Sequence, residues 1–216
     1  AIALGRTGNW SDPHGHGTHV SGSVLGNGSA SAGMFRGLAY EAELIIQSVL
    51  DSGGGLGGLP ADLNTLYHQT YTNGARIHSD SWGSDMAGQY TTESRQTDQF
   101  MWNNKDMLIV FAAGNAGTDA NSDGVVDADS MGSPATAKNV LTVGAAESQR
   151  TSGGYSTYRW GTAWPSDYPA NPVKDDYISR PSDGVNQGMA AFSSRGPCDD
   201  GRIKPDISAP GTDIVS

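Results

Sequence analysis

His16 is the residue whose type and setting most readily support acid–base chemistry. It opens the heptapeptide His-Gly-Thr-His-Val-Ser-Gly at residues 16–22, between Gly15 and Gly17, and runs into a helix-compatible segment. An imidazole can act as a general base because its unperturbed pKa of about 6.5 lies close to working pH. A lone histidine at a helix start can also serve only as a hydrogen-bonding group, so both interpretations stay open at this point.

Asn115 is the second residue in a setting that suits catalysis. It follows an apolar run at 107–113 and is bracketed by Gly114 and Gly117, so that a substrate oxygen could approach its amide closely. An amide aimed at an oxygen with developing negative charge stabilises a transition state. The alternative is a turn asparagine, because Asn tolerates the left-handed backbone conformation.

The acidic spacing at residues 119–130 predicts a calcium loop. Side-chain oxygens stand at the first, third, fifth and ninth places, a glycine at the sixth and a backbone carbonyl at the seventh, as in EF-hand loops. Ser130 takes the place of the usual bidentate glutamate, and Asp129 is its expected substitute. The alternative is a solvated acidic turn. The predicted ligands are Asp119, Asn121, Asp123, Val125, Asp127 and Asp129.

Three histidines suggest a rival, a zinc metallohydrolase. His14, His16 and His19 imitate the His-x-His-x-Asp-His motif of the metallo-β-lactamase fold, but Thr18 stands where that motif has its aspartate. Imidazole nitrogens are suitable zinc ligands. The two remaining histidines fall within a predicted helix and a predicted strand, which disfavours this alternative.

Apolar runs that alternate with helical periodicity predict the elements around these residues. Strands are expected at 44–50, 75–82, 107–113 and 139–144, and helices at about 60–72 and 92–105. This alternation is typical of βαβ units in a mostly parallel sheet, at whose carboxyl edge functional loops converge. In the first helix, apolar and aromatic spacing predicts a core face formed by Leu63, Leu66, Tyr67, Thr70 and Tyr71.

Length and composition limit the class of protein. The 216 residues predict one domain, and a segment at about 151–187, rich in Gly, Ser, Pro and aromatic residues, predicts a long surface insertion with a structural role. A net charge of −10 without a basic cluster argues against nucleic acid. No apolar run approaches the roughly 20 residues that span a bilayer. With Cys198 alone, no internal disulfide can form.

Several motifs occur in an order that resembles the subtilisin-like serine proteases, in particular the alkaline subtilisin relatives of bacilli. Besides the histidine heptapeptide and the Gly-rich loop at 53–58, the similar stretches are Ser-Trp-Gly at 81–83, Ala-Ala-Gly-Asn-Ala-Gly at 112–117, Phe-Ser-Ser-Arg-Gly-Pro at 192–197 and Lys-Pro-Asp-Ile-Ser-Ala-Pro-Gly at 204–211.

The resemblance implies a fold and a function. The fold would be an α/β three-layer sandwich with a mostly parallel, doubly wound central sheet, incomplete at both ends of this chain. The activity would be that of a secreted serine endopeptidase acting on proteins or peptides, with His16 as general base and Asn115 in the oxyanion hole. The substrate-binding residues it implies are Ser81, Trp82, Gly83, Ala113 and Gly114.

The chain departs from the family pattern at two catalytic positions. The family order is Asp, His, Ser, but no Asp-Ser-Gly or Asp-Thr-Gly string precedes His16, and Asp51, which opens such a string, follows it and is rejected as the triad acid. Ser216 lacks the preceding glycine and following helix of a nucleophile. We therefore expect an internal fragment of a catalytic domain, inactive alone and doubtful in its folding. A calcium-stabilised pseudoprotease or interaction module is the non-enzymatic alternative.

Overall fold

The structure is a computed structural model that describes residues 1–180 and 188–216. The strands in these ranges are β1 (Ile2–Ala3), β2 (Gln47–Ser48), β3 (Ile77–Asp80), β4 (Ser84–Asp85), β5 (Leu108–Ala112), β6 (Gly132–Ser133), β7 (Leu141–Ala146) and β8 (Ile207–Pro210). The α-helices are α1 (His16–Leu25), α2 (Leu63–Thr72), α3 (Thr92–Asn103) and α4 (Trp160–Ala163). Short 3₁₀ turns occur at Ser29–Ser31 and Val173–Asp175.

The described residues divide into two compact units where the sequence predicted a single domain. The first unit comprises residues 1–75 with 214–216, and the second comprises residues 76–213. No helix within the described ranges is long and apolar enough to cross a bilayer.

The first unit contains the parallel pair β1–β2 and the helices α1 and α2. Helix α2 begins where the carboxylate of Asp62 accepts a hydrogen bond from the Asn64 N–H at 3.0 Å, a normal N-terminal cap. Four residues of the predicted core face are at most 2% exposed: Leu63, Leu66, Tyr67 and Thr70. The fifth, Tyr71, is half-buried. Of the strand predicted at 44–50, only Gln47–Ser48 pairs.

The second unit is built on a four-stranded parallel sheet in the order β3-β5-β7-β8. The mostly parallel α/β sheet predicted from the sequence is thereby confirmed. Buried and half-buried residues alternate along β7, because successive side chains of a strand point to opposite faces. Helix α3 packs beside β5, and β4 pairs antiparallel with β6.

The segment at about 151–187 differs from the surface insertion that the sequence predicted. Trp160, Tyr168 and Ile178 are at most 3% exposed and form an apolar cluster with Ala190 and Ala191. These aromatic residues lie on a mostly irregular backbone, which explains why no period revealed their burial. Residues 181–187 of the predicted insertion lie outside the described residues.

Candidate active site

His16 is the first residue of α1, and the backbone before it is fixed by Asp12. The carboxylate of Asp12 accepts hydrogen bonds from the backbone N–H groups of Thr18 at 2.7 Å and Gly15 at 3.0 Å. Gly15 has a φ of 73°, a left-handed conformation that favours glycine. The Thr18 N–H, which favours the charged carboxylate, holds the pKa of Asp12 below its usual range. Asp12 thus caps the helix that carries His16.

The His16 side chain is exposed, and its ring has no hydrogen-bond partner among residues 1–180 and 188–216. The ring is therefore accessible to a group that approaches from solvent. The interpretation of His16 as a purely structural hydrogen-bonding residue receives no support from these contacts.

The zinc alternative gains no support from the structure. The Nε2 of His19 lies 3.1 Å from the backbone oxygen of Ile214, a contact that gives this ring a structural role. Within the described part of the chain, no three His, Cys, Asp or Glu side chains come together as metal ligands would. His14, His16 and His19 do not form a metal centre here.

Asp51 and Ser216, which the sequence excluded from catalysis, both make structural hydrogen bonds. Asp51 accepts from the backbone N–H groups of Gly53 at 2.8 Å and Gly55 at 2.9 Å, and these bonds, above all the one from Gly55, lower the pKa of its carboxyl. It shapes the Gly-rich loop. The hydroxyl of Ser216 donates to the backbone oxygen of His19 at 2.8 Å.

Asn115 lies just beyond the carboxyl end of β5, on a loop that is held from both sides. The N–H of Ser194 donates to the oxygen of Gly114 at 3.1 Å, and the N–H of Ala116 donates to the hydroxyl oxygen of Ser194 at 3.1 Å. The Asn115 side chain is exposed and has no hydrogen-bond partner within the described ranges. Its amide is available to a ligand, while its backbone is fixed.

The predicted substrate-binding residues 81–83 follow β3 at the same edge of the sheet. Asp80 stands opposite Phe111 in the parallel register, so the ends of β3 and β5 are neighbours. The Trp82 ring meets the Phe111 ring edge-on, with 5.3 Å between centroids. Ser81 is half-buried, as are Trp82 and Gly114, whereas Gly83 is exposed. The parallel register thus places the ends of β3 and β5, from which residues 81–83 and Asn115 follow, at the same edge of the sheet.

Ala113, which the resemblance implied as a substrate-binding residue, is buried. It is 2% exposed, its N–H donates to Val143 at 2.9 Å, and its oxygen accepts from Gly132 at 3.0 Å. Both of its backbone groups are thus hydrogen-bonded to neighbouring segments of the chain. Close backbone packing extends to Gly83, where a Cβ atom would lie 2.7 Å from the oxygen of Ser133.

In the predicted calcium loop, side-chain oxygens accept hydrogen bonds from backbone N–H groups of the same loop. Asp119 is fully buried and accepts from the N–H groups of Asp123 at 2.9 Å and Gly124 at 3.1 Å. The oxygen of the Asn121 side chain also accepts from Asp123, at 2.9 Å. Asp123 in turn accepts from Val125 at 2.9 Å. Gly124, at the sixth place of the loop, has a left-handed φ of 86°.

The remaining two acidic residues of the loop behave differently from each other. Asp127 accepts from the N–H of Ala120 at 2.7 Å and so belongs to the loop. Asp129 has a φ of 62°, and its N–H points to Gly196 at 3.3 Å, so its backbone is tied to a neighbouring segment. The side-chain oxygens of this loop are of the type that calcium prefers, and they follow the sequence order of a calcium loop. Within residues 1–180 and 188–216, however, no three carboxylates lie close enough together to hold a metal ion as they stand.

Three supporting residues escaped the sequence analysis. Asp12 carried no standard capping signal, because Gly15 occupies the N-cap position and Asp12 stands three residues before it. Asp80 accepts a hydrogen bond from the Trp82 indole, two residues later, at 2.9 Å. Nothing in the sequence showed that these two side chains contact each other. Ser194 belongs to a recognised motif, yet its contact with Ala116 spans 78 positions and has no local signal.

Comparison with known proteins places these motifs in one family. The model of the Peptidase_S8 subtilase family matches residues 5–216. Serine protease AprX of Bacillus subtilis (strain 168) is 32% identical over 216 residues, covering 95% of this chain and 39% of AprX. The serine protease/ABC transporter B family protein tagD of Dictyostelium discoideum is 31% identical over 249 residues, covering 94% and 13%. The chain therefore spans well under half the length of these relatives.

Solved structures agree on the fold. The prenylagaramide maturation protease PagA matches with a TM-score of 0.55 and 22% identity, over 99% of this chain and 57% of that protein. A structure of the subtilase cytotoxin SubAB assembly matches with a TM-score of 0.53 and 16% identity, over 99% and 59%. At these identities the likeness concerns the fold alone.

Proposed function

The chain belongs to the subtilase family, and we propose that it forms part of the catalytic domain of a serine endopeptidase in which His16 is the general base and Asn115 the oxyanion donor. The observation that carries this proposal is the pair of exposed side chains on fixed backbone: the imidazole at the capped start of α1 and the amide on the loop held by Ser194.

The proposed reaction is acyl transfer. A serine oxygen attacks the peptide carbonyl while His16 accepts the serine proton, and the imidazolium then gives that proton to the leaving amine. Neither family motif, for the nucleophile or for the triad acid, occurs in this sequence, so we assign neither role to a residue of this chain. Asp12 keeps the first turn of α1, and with it the backbone of His16, in place.

Asn115 would stabilise the oxygen that becomes negatively charged. Its amide would donate to this oxygen without first breaking a hydrogen bond to another described residue. Because its backbone is already fixed, little reorganisation would be needed during the reaction. Loss of one such side-chain donor in subtilisin lowers kcat by about 10²–10³. We expect an effect of that size here.

Peptide substrates would lie along residues 81–83 and Gly114. The exposed backbone at Gly83 would form part of the pocket for a large apolar side chain before the cleaved bond, and Trp82 would bound a more distant subsite. This preference is proposed from the family resemblance together with the exposure of Gly83. Secretion, predicted from the acidic composition and the resemblance, stays a prediction.

We also propose that residues 119–130 bind calcium as a structural ion. Asp119, Asn121, Asp123 and Asp127 would supply side-chain oxygens and Val125 its carbonyl, with Asp129 in place of the missing glutamate. The buried Asp119 supports this, because a carboxylate that is 0% exposed and has no cationic partner in the described residues is stabilised by a bound cation. The ion would neutralise the acidic loop next to the Asn115 segment.

The proposed activity is tested with the full-length protein and a chromogenic peptide that carries a large apolar residue before the cleaved bond. We expect hydrolysis that a serine-directed inhibitor abolishes. His16→Ala should remove activity, and Asn115→Ala should lower kcat by about 10²–10³ with little change in KM. His68→Ala is the matched control, because His68 is an exposed histidine on α2 and should leave kcat unchanged.

Two results would contradict the proposal. Full activity in His16→Ala would exclude His16 as the base. A folded wild-type protein that binds peptides without hydrolysing them would favour the interaction-module alternative.

A further inference from the structure

We propose that Ser194 is a positioning residue that fixes the oxyanion donor Asn115, a role that rests on the proposed function of Asn115. Ser194 does not touch the substrate, since it is fully buried at 0% exposure. It acts instead on the backbone before and after Asn115.

Ser194 makes one hydrogen bond on each side of Asn115. Its N–H donates to the oxygen of Gly114 at 3.1 Å, and its hydroxyl oxygen accepts from the N–H of Ala116 at 3.1 Å. These two bonds involve the residues directly flanking Asn115. Ser194 thereby fixes the peptide group before the Asn115 Cα and the peptide group after it. Together these two groups set the position and direction of the Asn115 Cα–Cβ bond.

The packing leaves little space for this loop to move toward Ser194. Gly114 has a φ of 114°, and a Cβ atom built there would lie 2.6 Å from the Ser194 hydroxyl oxygen. Further along the same loop, the N–H of Gly117 donates to the backbone oxygen of Phe192 at 3.0 Å. The segments 114–117 and 192–194 therefore lie directly against each other.

The segment that carries Ser194 is itself anchored. The N–H of Arg195 donates to the Ser130 hydroxyl at 2.8 Å, and the N–H of Ser130 donates to the Arg195 oxygen at 2.8 Å. The Arg195 guanidinium also donates to the oxygen of Ser193 at 2.9 Å. Ser194 thus belongs to a fixed segment, and its two hydrogen bonds hold the Asn115 loop in place against that segment.

The consequence concerns the transition state more than substrate binding. An oxyanion donor is effective only when it lies about 2.7–3.1 Å from the developing charge. The Asn115 side chain has no hydrogen bond of its own within the described residues, so its position depends on its backbone. Loss of the Ser194 hydroxyl would leave the Ala116 N–H unpaired and let the loop shift, and a shift of about 1 Å can cost up to 10²-fold in rate.

The experiment is a double-mutant cycle in the full-length protein with the chromogenic peptide. We expect Ser194→Ala to lower kcat by about 10- to 100-fold with little change in KM, and to have no further effect in an Asn115→Ala background. Ser193→Ala is the matched control. Ser193 is equally buried, at 1% exposure, but its hydroxyl accepts from the Ala145 N–H at 3.0 Å on β7 instead of from the Asn115 loop.

A second measurement does not depend on activity. Hydrogen exchange of a peptide covering residues 113–117 should be faster in Ser194→Ala than in wild type and unchanged in Ser193→Ala. Ser194→Cys, which keeps the size of the side chain but offers only a weak acceptor, should show an intermediate increase if Ser194→Ala fails to fold.

The outcomes separate this proposal from the proposed function. An equal loss of kcat in the wild-type and Asn115→Ala backgrounds, or unchanged exchange at residues 113–117 in both Ser194 variants, would overturn the positioning role. Absence of hydrolysis in the wild-type protein would instead overturn the proposed function, and the exchange experiment would still decide whether Ser194 fixes the loop.

Discussion

The indole Nε1 of Trp82 donates a hydrogen bond of 2.9 Å to Oδ1 of Asp80, two residues earlier at the end of β3. The other carboxylate oxygen of Asp80 lies 2.8 Å from Nδ1 of His78. Because Asp80 is only 3% exposed, this buried carboxylate fixes both rings. It holds Trp82 edge-on against Phe111, at the wall where we propose that substrate binds.

Asp80→Ala should destabilise the full-length protein and weaken substrate binding. It leaves polar groups of Trp82 and His78 without this partner, at a cost of about 1–3 kcal/mol per group in the free energy of unfolding. Because Trp82 loses its fixed position, KM should rise more than kcat falls. Urea unfolding and steady-state kinetics measure the two effects.

The control for Asp80 is Asp106→Ala. Asp106 forms an ion pair of 2.8 Å with Arg76, but the two side chains are 60% and 46% exposed. Such a surface pair contributes about 0–1 kcal/mol. An Asp80→Ala variant no less stable than this control, with unchanged KM, would show that the buried carboxylate does not support Trp82.

Asp12→Ala should loosen the first turn of α1. Loss of a capping side chain costs about 0.5–2 kcal/mol, because backbone N–H groups at the helix start lose their acceptor. The His16 backbone should then be less well fixed, so kcat/KM should fall as well. Thermal unfolding and kinetics of the full-length protein measure both quantities.

Asp12→Asn is the matched variant, since it retains one of the two side-chain oxygens and Asn caps about as well as Asp. We expect its unfolding temperature and kcat/KM to lie between those of the wild type and Asp12→Ala. Equal effects of the two substitutions would mean that the charge, rather than the cap, is responsible.

Local patterns in the sequence were sufficient to find the residues that would do chemistry. His16 and Asn115 lie in short motifs with glycines beside them, and the apolar runs that became β5 and β7 lie within two residues of their observed bounds. Helix α2 was predictable because its buried face repeats at helical spacing. Each of these features depends on residues close in the chain.

Features that depend on distant residues were not predictable in the same way. Strand β8 has four exposed residues and no apolar alternation, so only its pairing with β7 defines it. The buried Trp160 sits in a segment without a period. The contact of Ser194 with Ala116 exists only once the fold has brought residues 78 positions apart together.

Calcium should raise the unfolding temperature of the full-length protein. An ion that binds only the folded loop stabilises it by about 2.7 kcal/mol at a concentration 100-fold above its Kd. Asp123→Ala should abolish that increase, because it removes a proposed ligand and the acceptor for the Val125 N–H. Thermal unfolding with and without calcium, after chelation, is the measurement.

Asp85→Ala provides the comparison for the calcium experiment, because Asp85 is an exposed acidic residue on β4 outside the loop. It should keep the full calcium response. No calcium response in the wild type, or an undiminished response in Asp123→Ala, would exclude residues 119–130 as the site.

Glu147 should make the stability of the protein fall as the pH rises toward neutral. Its side chain is 1% exposed, and burial, assisted by the negative charge of Asp176, raises its pKa to about 7. The folded state therefore binds the proton more tightly than the unfolded state. This contribution, up to about 4 kcal/mol, is fully present below the unfolded pKa of about 4.3 and is lost as the pH rises through about 7.

Glu147→Gln removes this titration while keeping a neutral group that accepts from the Trp160 indole, whose Nε1 lies 3.4 Å from Oε1. In a series of unfolding temperatures from about pH 5 to pH 8.5, the variant should gain on the wild type as the pH rises and be the more stable protein at the alkaline end. Glu93→Gln, at an exposed carboxylate in the first turn of α3, should follow the wild-type curve. Parallel curves for wild type and Glu147→Gln would mean that Glu147 titrates at its ordinary pKa in the folded protein.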